Sequence, residues 1–183
     1  MPSIIFLNPN MKWDTAYASL SSSAFNRLVT IAPPLGLAYL VSIARDFYKK
    51  QDMLVIDANA TNMSFDQTID TIKKAHPDIL VVTAFIKNRR TVLELAKSLP
   101  PSITTLVGGA DPSATPQTYA DYYDYVFIGE GEQSFKRFLQ SKKPDKIPGI
   151  MFKKNGSYIT TGKSKPVDDL DTLPLPAWDL FPY

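Results

Sequence analysis

The 183-residue sequence contains no cysteine. This absence excludes disulfide bonds, thiolate zinc sites and cysteine-ligated iron–sulfur clusters within the chain. Histidine is scarce too, since His76 is the only one. No apolar run approaches the roughly 18 residues of a transmembrane helix, and the start, MPSIIFLNPN, lacks the basic region and long apolar stretch of a signal peptide. We therefore expect a cytoplasmic protein without a membrane span.

An excess of charge of either sign is also lacking. The net charge is only +2, which gives no reason to expect a nucleic acid or an anionic membrane as partner. Hydrophobic residues make up 44% of the chain, an ordinary share for a globular protein. The length suits one well-buried domain with a short addition.

Several catalytic and phosphate-binding motifs are missing. The chain has neither the P-loop pattern GxxxxGK[ST] nor the serine-hydrolase pattern GxSxG, and LNPNMKW after the first strand lacks the dinucleotide pattern GxGxxG. Asn8 and Pro9 stand where a phosphorylation receiver would carry acids. His76 precedes Pro77 and a strand, so we expect it at the amino edge of the sheet. It is then remote from a ligand site at the carboxyl edge. We predict no metal-ligating residue.

Short apolar runs alternate with helical patterns along the first 147 residues. Such continuous apolar strands between helices predict a parallel sheet that is buried on both faces. We expect a Rossmann-like, flavodoxin-like α/β domain with five strands and with helices on both faces. The predicted strands are Ile4–Leu7, Met53–Ile56, Ile79–Thr83, Ile103–Val107 and Tyr125–Ile128, and the predicted helices are Leu35–Tyr48, Ser64–Ala75, Asn88–Leu99, Pro116–Asp121 and Glu132–Leu139.

The pattern changes near residue 148. Two short apolar stretches flank Asn155-Gly156, which is the strongest two-residue signal for a β-hairpin. The last stretch is rich in proline and resembles a linker. We therefore divide the chain into a domain over residues 1–147, a hairpin appendage over 148–165 and a linker over 166–183.

A ligand of such a domain is expected at the carboxyl edge of the sheet, where the strand order reverses between strands 1 and 3. The first loop at this edge runs from Asn8 to Pro34, and its Trp13, Tyr17 and Phe25 argue against plain disorder. The other strand ends are small and neutral, which suits a bulky ligand that needs close approach of the backbone. Glu130 and Glu132 would repel a phosphate, although acids in the first turn of a helix are also favoured by its dipole, by about 0.3–1 kcal/mol.

Several stretches together resemble the N-terminal region of cobalamin-dependent radical SAM enzymes. That group includes anaerobic magnesium-protoporphyrin IX monomethyl ester oxidative cyclases and class B methyltransferases. The resemblance covers nearly the whole chain, and its motifs are specific as a set. They are APPLGLAYLVSIARD (32–46), VIDANATNMSFDQTIDTIKKAHPDILVVTA (55–84), LVGGADPSATPQ (106–117), FIGEGEQSF (127–135), IPGIMF (147–152) and DDLDTLPLPAWDLFPY (168–183).

The resemblance implies a cobalamin-binding domain that presents the cobalt to a radical SAM domain of the same full-length protein. That catalytic domain, with a CxxxCxxC site for a [4Fe–4S] cluster and with S-adenosylmethionine, is expected to lie outside this chain, so we expect no catalysis here. The parent enzyme would be a methyltransferase or an oxidative cyclase. The residues expected to hold the corrin are Asn8, Pro9, Pro34, Leu35, Gly36, Thr83, Ala84, Phe85, Gly108, Gly109, Ala110, Gly129, Glu130 and Gly131.

One departure concerns the cobalt ligand. Many cobalamin-binding domains carry DxHxxG after strand 1, and this chain does not. Asn8, Pro9, Thr83 and Phe85 are the residues expected beneath the ring. We also expect a side chain at Gly109 to project towards the ligand.

Two other functions stay open at this stage. One is a flavin- or nucleotide-binding module of the same fold. The other is a domain without a ligand that docks a partner through exposed aromatic residues of the linker, namely Trp178, Phe181 and Tyr183.

Overall fold

Seven strands form a single sheet in the computed structural model, which describes residues 3–13, 33–141 and 143–183. Two of the aromatic residues predicted to order the first loop, Tyr17 and Phe25, lie outside these ranges. The strands are β1 (Ile4–Asn8), β2 (Met53–Asp57), β3 (Ile79–Thr83), β4 (Thr104–Gly108), β5 (Tyr125–Phe127), β6 (Ile150–Lys154) and β7 (Ser157–Thr160).

The strand order is β2-β1-β3-β4-β5-β6-β7. The first five strands pair in parallel, which confirms the predicted α/β fold and places the reversal of strand order between β1 and β3. The predicted hairpin joins the same sheet, because β6 pairs antiparallel with β5 and β7 with β6. Its turn has positive φ at both Asn155 and Gly156, as the sequence pair favours.

Helices cover both faces of the sheet. Strand residues alternate between the two cores: Ile4 and Phe6 belong to one, Ile5 and Leu7 to the other. The first core contains α1 and α6, and the second contains α2, α3 and α5. The helices are α1 (Leu35–Ala44), α2 (Phe65–Ala75), α3 (Arg89–Lys97), α4 (Ala110–Ala114), α5 (Pro116–Ala120) and α6 (Glu132–Ser141).

Local signals fix the ends of α2. Ser64 caps its first turn by accepting a hydrogen bond from the backbone N–H of Gln67, and the Gln67 side chain accepts one from the backbone N–H of Ser64. His76 ends the helix in the left-handed conformation, with φ of 47°, and is exposed. Because β3 starts shortly afterwards, at Ile79, His76 lies at the amino edge, as predicted. Among the described helices none is long and apolar enough to cross a bilayer.

The final segment packs back onto the domain instead of standing free. The backbone N–H of Ala177 donates to the Ala38 carbonyl at 3.2 Å, and the Ser42 hydroxyl donates to the Leu175 carbonyl at 2.7 Å. Phe181, which the docking hypothesis took as exposed, retains only 7% of its accessible surface and belongs to the first core. Trp178 and Tyr183 remain 37% and 61% exposed.

Candidate functional site

A cavity of about 740 Å³ opens at the carboxyl edge of the sheet, where the strand order reverses. It brings together the ends of β1, β3 and β4, the start of α1 and the turn before α6. Of the predicted site residues, Pro9 and Ala84 are buried and do not line it. The others do: Asn8, Pro34, Leu35, Gly36, Thr83, Phe85, Gly108, Gly109, Ala110, Gly129, Glu130 and Gly131.

The cavity also reaches below the edge, along the face of the sheet. Val81, Leu106 and Phe127 line it from within β3, β4 and β5, and Leu37 and Phe135 line it from α1 and α6. Sequence reasoning missed these residues, because an apolar strand residue looks the same whether it meets a helix or a cavity. The site thus combines neutral polar groups at the strand ends with an apolar interior.

A polar cluster at the ends of β1 and β2 lies behind one wall of the cavity, which it reaches through the buried Asn8. The Asn8 amide donates to one carboxylate oxygen of Asp57 at 2.9 Å, and the backbone N–H of Ala60 donates to the same oxygen at 2.9 Å. The Tyr183 hydroxyl donates to the other oxygen at 2.6 Å. Partial desolvation of its hydroxyl, together with this hydrogen bond, raises the pKa of Tyr183 above its usual value, although the residue as a whole is exposed. Asp57 thus fixes the orientation of Asn8, which faces the cavity.

The glycines at this edge have two distinct roles. Gly109 has φ of +118°, and a Cβ there would lie 2.5 Å from the carbonyl oxygen of Ala84. The side chain was expected to project towards the ligand, but this position faces the end of β3, so glycine is needed for the strand-to-helix turn itself. At Gly36 and Gly131, in contrast, a Cβ would meet no atom within 4 Å. These two glycines leave space at the cavity.

The two glutamates beside this turn also differ. The carboxylate of Glu130 accepts a hydrogen bond from the backbone N–H of Val167 at 2.8 Å, so it connects the turn to the final segment. Glu132, the first residue of α6, lines the cavity. The sequence alone left open which way each carboxylate faces.

No lysine, arginine or histidine lines the cavity among the described residues. In the same ranges no three histidine, aspartate or glutamate side chains are grouped so that they could hold a metal ion. The site therefore offers neutral hydrogen-bonding groups and acids, and no side-chain cation for a phosphate.

A polar cluster holds the loops after β3 and β4 together. Arg89, at the start of α3, donates to the carboxylate of Asp111 in α4 at 2.7 Å, and the Tyr119 hydroxyl donates to it at 2.6 Å. The hydrogen bond from Arg89 lowers the pKa of Asp111, while burial and the bond to Asp111 raise that of Tyr119. Because Ala110 and Ser113 on either side of Asp111 line the cavity, this cluster positions one of its walls.

Comparisons with known proteins agree with this architecture. The model of the B12 binding domain family matches residues 24–139. The chain is 32% identical over 173 residues to an uncharacterized methyltransferase of Pyrococcus horikoshii, covering 88% of this chain and 37% of that protein. It is 28% identical over 170 residues to the anaerobic magnesium-protoporphyrin IX monomethyl ester cyclase of Rubrivivax gelatinosus, covering 82% and 29%. The chain therefore spans about a third of the length of these relatives.

Two solved structures share the fold. The cobalamin-dependent S-adenosylmethionine radical enzyme OxsB matches with a TM-score of 0.67 at 19% identity, over 98% of this chain and 24% of that one. The radical S-adenosylmethionine methyltransferase TsrM from Kitasatospora setae, with cobalamin and a [4Fe–4S] cluster bound, matches with a TM-score of 0.62 at 13% identity, over 96% and 31%.

The family match covers strands β2 to β5 and the helices from α1 to α6, except for the last two residues of α6. All lining residues of the cavity except Asn8 and Met11 fall within it. The fold, the position of the cavity and the sequence relationship therefore agree, and the chain belongs to the B12-binding domain family.

Proposed function

We propose that this chain binds cobalamin in the cavity and presents the cobalt to a radical SAM domain of the same full-length protein. The observation that carries the proposal is the cavity itself, which lies at the reversal of strand order and has no side-chain cation among its described lining residues. Membership of the B12-binding family supports the choice of ligand.

The residues present fit the chemistry of a corrin. Its ring is flat and largely apolar, and its arms end in amides that exchange hydrogen bonds with neutral partners. The side-chain amides of Asn8 and Asn59 and the hydroxyl of Thr83 line the cavity and are neutral groups of this kind.

The size of the cavity indicates how the ligand would be held. Its volume of about 740 Å³ is in the range of small-molecule sites. A molecule as large as cobalamin would lie partly inside and partly across the rim, where Leu35 and Phe85 are 51% and 38% exposed. These apolar side chains would cover the ring and exclude water from it.

When bound, cobalamin supplies a cobalt centre that can carry a methyl group or exchange electrons. The chain's own part is binding and orientation: Asp57 holds the Asn8 amide at the wall, and the Arg89–Asp111–Tyr119 cluster holds the β4 loop. We propose a methyltransferase or an oxidative cyclase as the parent enzyme, because the two relatives carry these descriptions. A full-length protein that lacks the three-cysteine motif for an iron–sulfur cluster would contradict the proposed radical SAM parent enzyme.

Titration of the chain with hydroxocobalamin tests the proposal. We expect the absorbance spectrum of the corrin to change on binding, and the ligand to be retained by the protein in equilibrium dialysis. Flavin mononucleotide serves as the comparison, because its phosphate would meet acids and no lysine or arginine side chain at the described cavity wall. Retention of the flavin but not of hydroxocobalamin would favour the flavin-binding alternative, and retention of neither would favour a docking domain.

A further inference from the structure

The final segment is bonded to α1 along one side of the helix. The Ser42 hydroxyl donates to the Leu175 carbonyl at 2.7 Å, and the backbone N–H of Ala177 donates to the Ala38 carbonyl at 3.2 Å. Ala177 retains only 1% of its accessible surface and shares the first core with the buried residues of α1. The segment is thus joined to α1 both by hydrogen bonds and by a common core.

Two ion pairs extend this attachment past the end of α1. Asp179 pairs with Arg45, the residue that caps the helix, and with Lys50 at 3.3 Å. All three side chains are partly exposed, so these pairs stabilise the docked position of the segment less than its buried contacts do.

The cavity lies on the other side of the same helix. Gly36 and Leu40 of α1 line the cavity. At about 3.6 residues per turn, these two positions lie nearly opposite Ala38 and Ser42 around the helix axis. The helix is therefore placed between the cavity and the final segment, and removal of the segment would take away its support on the side opposite the ligand.

We propose that the final segment is part of the ligand-binding unit, because it positions α1 at the wall of the cavity. This inference rests on the proposed function. It goes beyond the family match, which ends at residue 139 and does not include the segment. Ser42 and Ala177 are positioning residues, since neither lines the cavity and both act through α1. The apparent affinity for the ligand then falls with the fraction of molecules in which the segment is docked.

A matched pair of substitutions tests this dependence. Ala177→Glu places a charge at a buried position, where it would lose its hydration, so the segment can no longer dock. Leu175→Glu is the control, because it adds the same charge to the same segment at a side chain that is 88% exposed. The dissociation constant of hydroxocobalamin should rise by roughly 10-fold or more in Ala177→Glu, as when a tenth or less of the molecules are competent. In Leu175→Glu it should equal that of the wild type.

Hydrogen exchange without ligand separates undocking from unfolding. In Ala177→Glu the backbone amide of residue 177 should exchange faster than in the wild type, while the amides of β1 and β3 in the middle of the sheet stay protected. If the amides of these strands also lose protection, the wild type decides instead. Saturation with hydroxocobalamin should slow exchange of the Ala177 amide, because a ligand that needs the docked segment stabilises it by mass action. The amides of the β6–β7 hairpin, which does not line the cavity, are the comparison.

A wild-type dissociation constant in Ala177→Glu, with a freely exchanging amide at residue 177 and a protected sheet, would overturn this inference alone. An unchanged exchange rate of the Ala177 amide in the ligand-saturated wild type would do the same. Equal weakening by both glutamate variants would assign the effect to the added charge and not to docking, and so would also overturn it. A wild type that retains no hydroxocobalamin overturns the proposed function, and this inference with it.

Discussion

At the scale of single residues, the glycines of the carboxyl edge show that one residue type can meet two needs. Gly109 is required by the turn, because its φ is positive and a side chain would strike the backbone of Ala84. Gly36 lies in the first turn of α1, where its φ is ordinary, and it borders the cavity. A pattern of glycines after strands predicts the edge, but it does not separate these roles.

Substitutions at the two positions should therefore change different properties: folding stability at Gly109 and ligand binding at Gly36. Gly109→Ala should lower the free energy of unfolding by about 2 kcal/mol or more, because of its left-handed φ and the close carbonyl. Gly36→Leu should leave stability equal or slightly higher, since leucine favours a helix by up to about 1 kcal/mol over glycine, but it should weaken hydroxocobalamin binding. Urea unfolding and the titration measure the two quantities. Normal binding by Gly36→Leu would place the ligand away from the start of α1.

At the scale of elements, the Arg89–Asp111–Tyr119 cluster joins α3, α4 and α5. The sequence predicted α3 and α5 but missed α4, which is a single short stretch after Gly109. It also gave no sign of the cluster, because Arg89 and Asp111 are 22 residues apart and the contact depends on the packing of two crossover loops. Apolar periodicity predicts elements well, whereas a polar contact between elements requires their relative positions.

This cluster should make stability depend on pH at the acid end. Because the pKa of Asp111 is lowered in the folded protein, its contribution is present above the unfolded value of about 3.9 and is lost as the pH falls towards the folded value. Asp111→Asn should cost roughly 1.5–3 kcal/mol at pH 7, and its difference from the wild type should shrink below about pH 4.

Urea unfolding at several pH values measures this difference. Asp121→Asn is the comparison, because Asp121 also bonds to a cation, Lys153, but lies exposed at the surface. Its effect should be small and should disappear in high salt. A difference for Asp111→Asn that stays constant down to pH 3 would contradict the role of its carboxylate.

At the scale of the whole molecule, the final segment packs against the sheet domain. Sequence reasoning placed the sheet correctly, because strands buried on both faces are continuous apolar runs. It treated residues 166–183 as a linker, because frequent prolines remove helical and strand periodicity. The contacts that hold the segment join residues more than 120 positions apart, such as Ser42 with Leu175, and no local pattern encodes them.

Loss of the buried aromatic ring in this segment should therefore destabilise the domain. Phe181→Ala removes a side chain that is only 7% exposed, so we expect a loss of about 3 kcal/mol. Leu175→Ala is the matched control from the same segment, because Leu175 is 88% exposed and only its backbone carbonyl is engaged. It should change the free energy of unfolding by no more than about 0.5 kcal/mol. Equal stabilities of the two variants in urea unfolding would show that the segment does not contribute to the fold.

The hydrogen bonds from Tyr183 to Asp57 and from Val167 to Glu130 connect the final segment to the cavity. Asp57 also holds Asn8, and both Asn8 and Glu130 line the cavity, so two cavity residues are joined to the final segment. A ligand that favours the present positions of these side chains must also favour the docked position of the segment. By thermodynamic reciprocity, docking of the segment strengthens ligand binding by the same free energy. A ligand that contacts Asn8 or Glu130 is therefore expected to stabilise the docked position of the final segment.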